Sequence, residues 1–217
     1  MRLENSRKGN HMSNKMKTIS KRETVILLGI ISVSMVISGI GPYDRVTWYL
    51  EVAPVFIGIP LLFFTFKRFP LTPLTYRLLT IHALILILGG HYSYARVPLG
   101  YWIQDLFDFS RNHYDRIGHI AQGFVPAILA REILLRTSPL KQGKWLFVIV
   151  TSIALAFSAF YEMIEWWSSI AGGDSADSFL GTQGDIWDTQ WDMFLALLGA
   201  ITAQLVLSKR HDRELNR

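Results

Sequence analysis

The sequence predicts an all-α polytopic membrane protein with six transmembrane helices. Three observations predict it. The apolar residues fall into six blocks, each close to the ~20 residues a helix needs to cross a bilayer. Lys and Arg crowd one set of connections and thin out in the other. Six of the tryptophans gather at one set of block ends. Composition sharpens this: of 217 residues 50% are hydrophobic and only 18% are charged, whereas globular chains carry ~25% charged residues. Long aliphatic runs with 13% aromatic residues exclude a disordered coil. The chain has no cysteine, which excludes disulfides, thiolate metal sites and cysteine nucleophiles.

The blocks follow in order. Thr24–Ile40 comes after a basic lead of Arg2, Arg7, Lys8, Lys15, Lys17, Lys21 and Arg22. No A-x-A site follows, so it reads as an uncleaved anchor and not as a signal peptide. Residues 1–11 read as dispensable, with Met12 or Met16 as alternative starts. Thr47–Phe66 is preceded by Arg45 alone and followed by Lys67 and Arg68. Leu74–Gly90 carries Arg77 at its mouth. In the next connection, Gly100–Ser110 predicts a short interfacial helix. Trp102, Ile103, Leu106, Phe107 and Phe109 would lie on the bilayer, with Gln104, Asp105 and Asp108 in water. Tyr114–Leu135 follows Arg96 and Arg111, holds Arg116 at its mouth, and leads to Arg136, Lys141 and Lys144. Trp145–Trp167 and Ile186–Leu207 have no Lys or Arg between them. Pro126 predicts a kink in the fourth span, and Ala196, Gly199, Ala200 and Ala203 predict a packing face on the sixth.

Positive loops stay in the cytoplasm. The charge pattern therefore places both termini inside, with 1–23 a basic tail, 24–208 the membrane domain and 209–217 a second tail. Trp48, Trp102, Trp166, Trp167, Trp187 and Trp191 then fall at the outer boundary, where indoles prefer to sit. The net charge of +5 is a difference between two faces of opposite sign, which removes nucleic acid as a partner. The predicted partner is the lipid bilayer of a bacterial inner membrane.

Ionisable residues inside a span are costly and mark function by default. Glu51 lies one turn into the second span and is read as reaching the headgroups. Arg131 and Glu132 are read as snorkelling from the inner end of the fourth. His82 is read as bonding a neighbouring helix. The last three spans are richer. Asp115, His119 and Gln122 share one helical face, with Arg116 beside them. Tyr161 and Glu165 are i, i+4, with Glu162 adjacent. Asp185, Asp188 and Asp192 follow at i, i+3 and i+7. Counted from the basic inner markers Arg136, Lys144 and Lys209, Asp115, Glu165 and Asp188 each stand roughly 31 Å up. His119 and Asp192 stand roughly 25 Å up.

Such a layer cannot hold all its carboxylates ionised without compensation. Arg116, Arg96 or Arg111 would compensate some of them. A divalent cation as cofactor would compensate better, since carboxylates with one His suit Mg²⁺, Mn²⁺, Fe²⁺ or Zn²⁺. The residues leave the cofactor open. Asp188, Asp192, Glu165 and His119 are the candidate metal ligands. His119, Asp115 and Glu165 are the candidate catalytic groups, with His119 a general base oriented by Asp115 if no metal takes part. Arg116, Gln122, Tyr161, Glu162 and Asp185 are the candidate binding residues. The alternative is purely structural: Asp115 and Asp185 or Asp188 cap helices, and Glu165 pairs with Arg116. The Gly-rich pieces Gly172-Gly173 and Gly181-Thr182-Gln183-Gly184 read as turns returning Asp185 toward Glu165. The functional expectation is a site at the outer face that binds or processes an envelope lipid or lipid-linked precursor. A small transporter or proton-coupled channel, or a structural or assembly protein, are the alternatives. The residues alone leave catalysis open.

At these residues the chain resembles a known family. Asp115-Arg116-Ile117-Gly118-His119, Tyr161-Glu162-Met163-Ile164-Glu165-Trp166-Trp167 and Gly181-Thr182-Gln183-Gly184-Asp185-Ile186-Trp187-Asp188 are similar to segments of the YjdF-type bacterial inner-membrane proteins. The resemblance implies a six-span inner-membrane protein and names no reaction. The order Asp115, His119, then Tyr161, Glu165, then Asp188, Asp192 also resembles the VanZ-like membrane proteins, which are linked to cell-envelope resistance. Asp192 stands where that pattern has Asn, and Leu195 where it has Gly.

Overall fold

The computed structural model describes residues 16–172 and 182–215. All regular elements among them are helical. Helix α1 is Lys21–Gly39, α2 is Arg45–Thr65 and α3 is Pro73–Tyr92. A 3₁₀ turn, Tyr94–Arg96, leads to α4, Pro98–Phe107. Then come α5 (Tyr114–Thr137), α6 (Lys144–Gly172) and α7 (Asp188–Leu215). Ser20, Asp44 and Thr72 cap α1, α2 and α3 by accepting from the backbone N–H of Glu23, Thr47 and Thr75.

Six helices match the six predicted blocks in order and have at least 19 residues. Five of them are both long and apolar enough to cross a membrane. The exception is α5, where Asp115, Arg116, His119, Gln122, Arg131, Glu132 and Arg136 interrupt the apolar sequence. Its buried residues, from Tyr114 to Leu135, lie all round the helix. Helices α3, α6 and α7 cover it, so lipid meets little of its polarity. The predicted interfacial helix is α4, with Trp102 and Leu106 exposed and a left-handed Asp108 ending it.

Two main cores hold the bundle. Ile31, Trp48, Val52, Val55, Ala83 and Ile87 join α1, α2 and α3. Ala127, Ile128, Leu146, Val150, Ala200 and Ala203 join α5, α6 and α7. The small residues predicted as a packing face on the last helix lie at the α5–α7 seam. A Cβ on Gly199 would overlap the Ile120 carbonyl, and one on Gly123 the Ala196 carbonyl. Both helices approach backbone to backbone, which small residues alone permit. Within the bilayer, Gln204 on α7 donates to Thr151 Oγ1 on α6 at 2.9 Å.

The first and last described segments meet at one end of the bundle, where the Lys17 N–H donates to the Glu214 carbonyl at 2.8 Å. The snorkelling expected of Arg131 and Glu132 does not occur. Glu132 is fully buried and Arg131 is 4% exposed. Glu132 accepts from the Thr72 N–H (2.8 Å), Thr72 Oγ1 (2.9 Å), Thr75 Oγ1 (2.6 Å) and Arg136 (2.9 Å). His211 faces it at 3.2 Å. Arg131 can only donate to His211 Nδ1, at 3.1 Å, so Nε2 carries the proton and donates to Glu132. Arg131 also pairs with Asp212 at 2.7 Å. The reason is length: α7 runs on as helix through 209–215 and brings His211 and Glu214 against α3 and α5. A side chain with partners this close gains nothing by reaching for the headgroups.

Candidate functional site

Near the other end of the bundle, three helices present their polar faces to one point. Asp115 and His119 sit in the first turns of α5, Glu162 and Glu165 in the last third of α6, and Asp192 one turn into α7. His119 is at the centre. Its Nε2 lies 3.4 Å from Asp115 Oδ1 and 3.7 Å from Asp192 Oδ2. Its Nδ1 lies 2.9 Å from Gln122 Oε1 and 3.7 Å from Glu162 Oε1. All are buried: His119 is 5% exposed, Glu162 7%, Glu165 8% and Asp192 2%.

The geometry has one chemical consequence. Gln122 Oε1, as oriented here, accepts from Nδ1–H, which leaves the Nε2 lone pair toward two carboxylates. Three acceptors facing one another need a proton or a cation between them. Two further atoms are unsatisfied: Glu162 Oε1 and Asp192 Oδ1 make no hydrogen bond among the described residues. One donor atom each from Asp115, His119 and Asp192 lies within 4.8 Å of the others, and the same holds for His119, Glu162 and Glu165. A hydrogen bond to the far nitrogen is how a metal-binding His is ordinarily held. The residues therefore fit a divalent cation on the Asp115–His119–Asp192 side, with Glu162 and Glu165 next to it.

Asp188, a predicted ligand, is outside both of these donor sets. It accepts from Arg111 at 2.7 Å. Arg111 also reaches the Thr182 carbonyl at 2.9 Å and Asp185 at 3.4 Å. The pairing of Arg116 with Glu165 is also corrected: Arg116 binds Asp185 at 3.1 Å and lies over the Trp191 ring. These ion pairs form a rim where α5 and α7 begin, beside the His119 cluster. The capping alternative fares unevenly. Asn112 Oδ1 accepts from the Tyr114 N–H at the start of α5, and Asp185 accepts from the Trp187 N–H before α7. His113, in the same turn, is held below its ordinary pKa by burial and by Arg116 and Arg111. The turn through Gly173 and Gly181 lies outside the described residues.

Glu51 is the residue that sequence reading missed. It is 5% exposed and does not reach the headgroups. Tyr161 Oη donates to Glu51 Oε2 at 3.3 Å. A signal was present: counted from Lys67, Glu51 stands roughly 24 Å up, the depth of His119 and Asp192. His82 also departs from expectation, for its Nε2 is buried and makes no hydrogen bond among the described residues.

A cavity of about 1190 Å³ ends at this cluster. Glu51, Asp115, His119, Gln122, Tyr161 and Glu165 line its polar end. The rest of its wall is mostly apolar and comes chiefly from α1, α2, α3, α5 and α6.

Comparison with known proteins agrees with this architecture. The family model described as "Predicted membrane protein (DUF2238)" matches residues 23–213. The chain is 48% identical over 206 residues to the inner membrane protein YjdF of Escherichia coli (strain K12), covering 95% of this chain and 97% of that protein. No solved structure matches. Six long helices, five of them apolar enough to span a bilayer, and a family match over nearly the whole chain lead to one conclusion: this chain belongs to the DUF2238 family of membrane proteins.

Proposed function

We propose that this is a multi-pass inner-membrane protein with both termini in the cytoplasm. Its His119-centred site holds a divalent cation and uses it to bind or process an envelope lipid or lipid-linked precursor. The observation that carries this reading is the convergence of His119, Asp115, Asp192, Glu162 and Glu165, two of whose buried oxygens have no hydrogen-bond partner among the described residues. A bound cation would balance the carboxylates and would supply a Lewis acid and an activated water at a lipid-borne ester or phosphate. The chain's own part is to hold the ligands, with Gln122 fixing the His119 ring. A transporter needs a polar path to the cytoplasm. Between Gln122 and Arg131, α5 carries only Gly, Phe, Val, Pro, Ala, Ile and Leu, which favours binding or catalysis over transport.

Metal analysis of the purified full-length protein tests the reading. One divalent ion per chain is expected, lost in His119→Ala and Asp192→Asn and kept in Asp105→Asn on the surface of α4. Metal-free wild type, or equal metal in all four proteins, refutes it. Topology has its own test. Reporters fused before Met1 and after Arg217 are expected to stay in the cytoplasm. A periplasmic signal from either one overturns the orientation.

A further inference from the structure

The cavity has a shape that the cation site does not explain. On α5 its wall runs from Asp115 to Ile133, roughly 27 Å of helix. On α2 it runs from Glu51 to Phe64, roughly 20 Å. A single leaflet offers about half of the ~30 Å hydrocarbon core. The cavity is therefore longer than one leaflet, and its volume exceeds the ~300–1,000 Å³ of ordinary small-molecule sites. All its charged groups but Lys67 cluster at the His119 end.

It is also open on one side. Helix α2 packs on α3, and α6 packs on α5 and α7, yet α2 and α6 do not pack along each other. The Tyr161–Glu51 hydrogen bond ties them near the polar end. Below it, Ile153, Phe157 and Tyr161 make an i, i+4 stripe on α6 that faces the cavity. Ile153 is 40% exposed and Phe157 48% exposed, although both line it. Across the gap stands Gly58, where an added Cβ meets nothing within 4 Å. A slot whose outside is hydrocarbon admits hydrocarbon.

We infer that the slot between α2 and α6 admits a lipid sideways from the bilayer, a polyprenyl-type amphiphile whose single chain outreaches one leaflet. The chain lies in the cavity and its anionic phosphate head meets the cation at His119. Glu51 and Tyr161 at the throat are positioning residues for the head. This deepens the proposed function and rests on it for the head, whereas the chain's place rests on the cavity alone.

The experiment compares two lipids with one head chemistry, an undecaprenyl phosphate and dioleoyl phosphatidic acid, binding to the full-length protein in detergent with Mg²⁺ or Mn²⁺. The polyprenyl phosphate is expected to bind at least about tenfold more tightly. Gly58→Phe fills the slot and is expected to weaken it by at least about tenfold, with metal content unchanged. Gly58→Ala is expected to leave it within about twofold. Phe157→Trp narrows the same slot from α6 and decides the matter if Gly58→Phe unfolds. Equal affinity for both lipids overturns the long-chain inference, as does binding that neither slot variant changes. The two readings fail separately. If the long-chain preference and the Gly58→Phe effect persist in protein that holds no metal, the cation reading falls and the cavity reading stands. Metal binding with no lipid preference is the reverse.

Discussion

Glu132→Ala is expected to destabilise the bundle by about 3–5 kcal/mol, the usual cost of removing one partner from a buried charged network. The carboxylate accepts from Thr72, Thr75, His211 and Arg136. Its loss leaves these donors buried without an acceptor, and water cannot replace it where Glu132 is 0% exposed. The same carboxylate joins the start of α3 to the ends of α5 and α7, so the damage is to the bundle and not to one helix. Glu132→Gln keeps the shape and one acceptor, and should lose less. Denaturant titration of the purified variants in detergent measures the order wild type, Gln, Ala. An unchanged midpoint for Glu132→Ala would show the network to be ornamental.

Gly123→Val is the second large expectation, and it acts on structure and site together. The new Cβ meets the Ala196 carbonyl, a backbone atom that no rotamer change can move. Overpacking costs ~1–3 kcal/mol where side chains can yield, and here the loss should reach the top of that range or exceed it. The site suffers for reasons of register. His119 is one turn before Gly123, and Asp192 one turn before Ala196. Wedging α5 from α7 at that level lengthens the 3.7 Å approach of His119 to Asp192. Metal content should fall along with thermal stability. The substitution Ala203→Val acts farther down the seam and should lower stability while sparing metal. Gly123→Val with full metal content would separate the seam from the site.

The fold was legible because its signals are collective. Twenty apolar residues and a charge rhythm survive any local misreading, and the six blocks reappear as helices in order. The layer of Asp115, His119, Glu165 and Asp192 was legible for a similar reason: helical rise fixes depth. What rise cannot fix is which helix stands opposite. The sequence of α2 shows nothing of Tyr161, the partner of Glu51, which lies 110 residues away. Spacing puts Asp188 with Asp192, yet Arg111 from the connection before α5 pairs with it. Closeness to the helix end suggests snorkelling for Arg131 and Glu132. Their partner His211 sits in a segment whose charges read as a tail.

The covering of α5 has a bearing on how the chain is made. A polar residue such as Asp or Arg at the centre of a lone span costs ~2.5–3.5 kcal/mol to insert, and α5 carries several. Its closest companion is α7, which leaves the ribosome only after α6. The fifth helix thus emerges well before the surface that shelters it. Until α7 arrives, the nascent chain must keep α5 at the insertion machinery or at the water interface. Biogenesis of the bundle is then a matter of timing, with a later helix completing the solvent shell of one synthesised long before it.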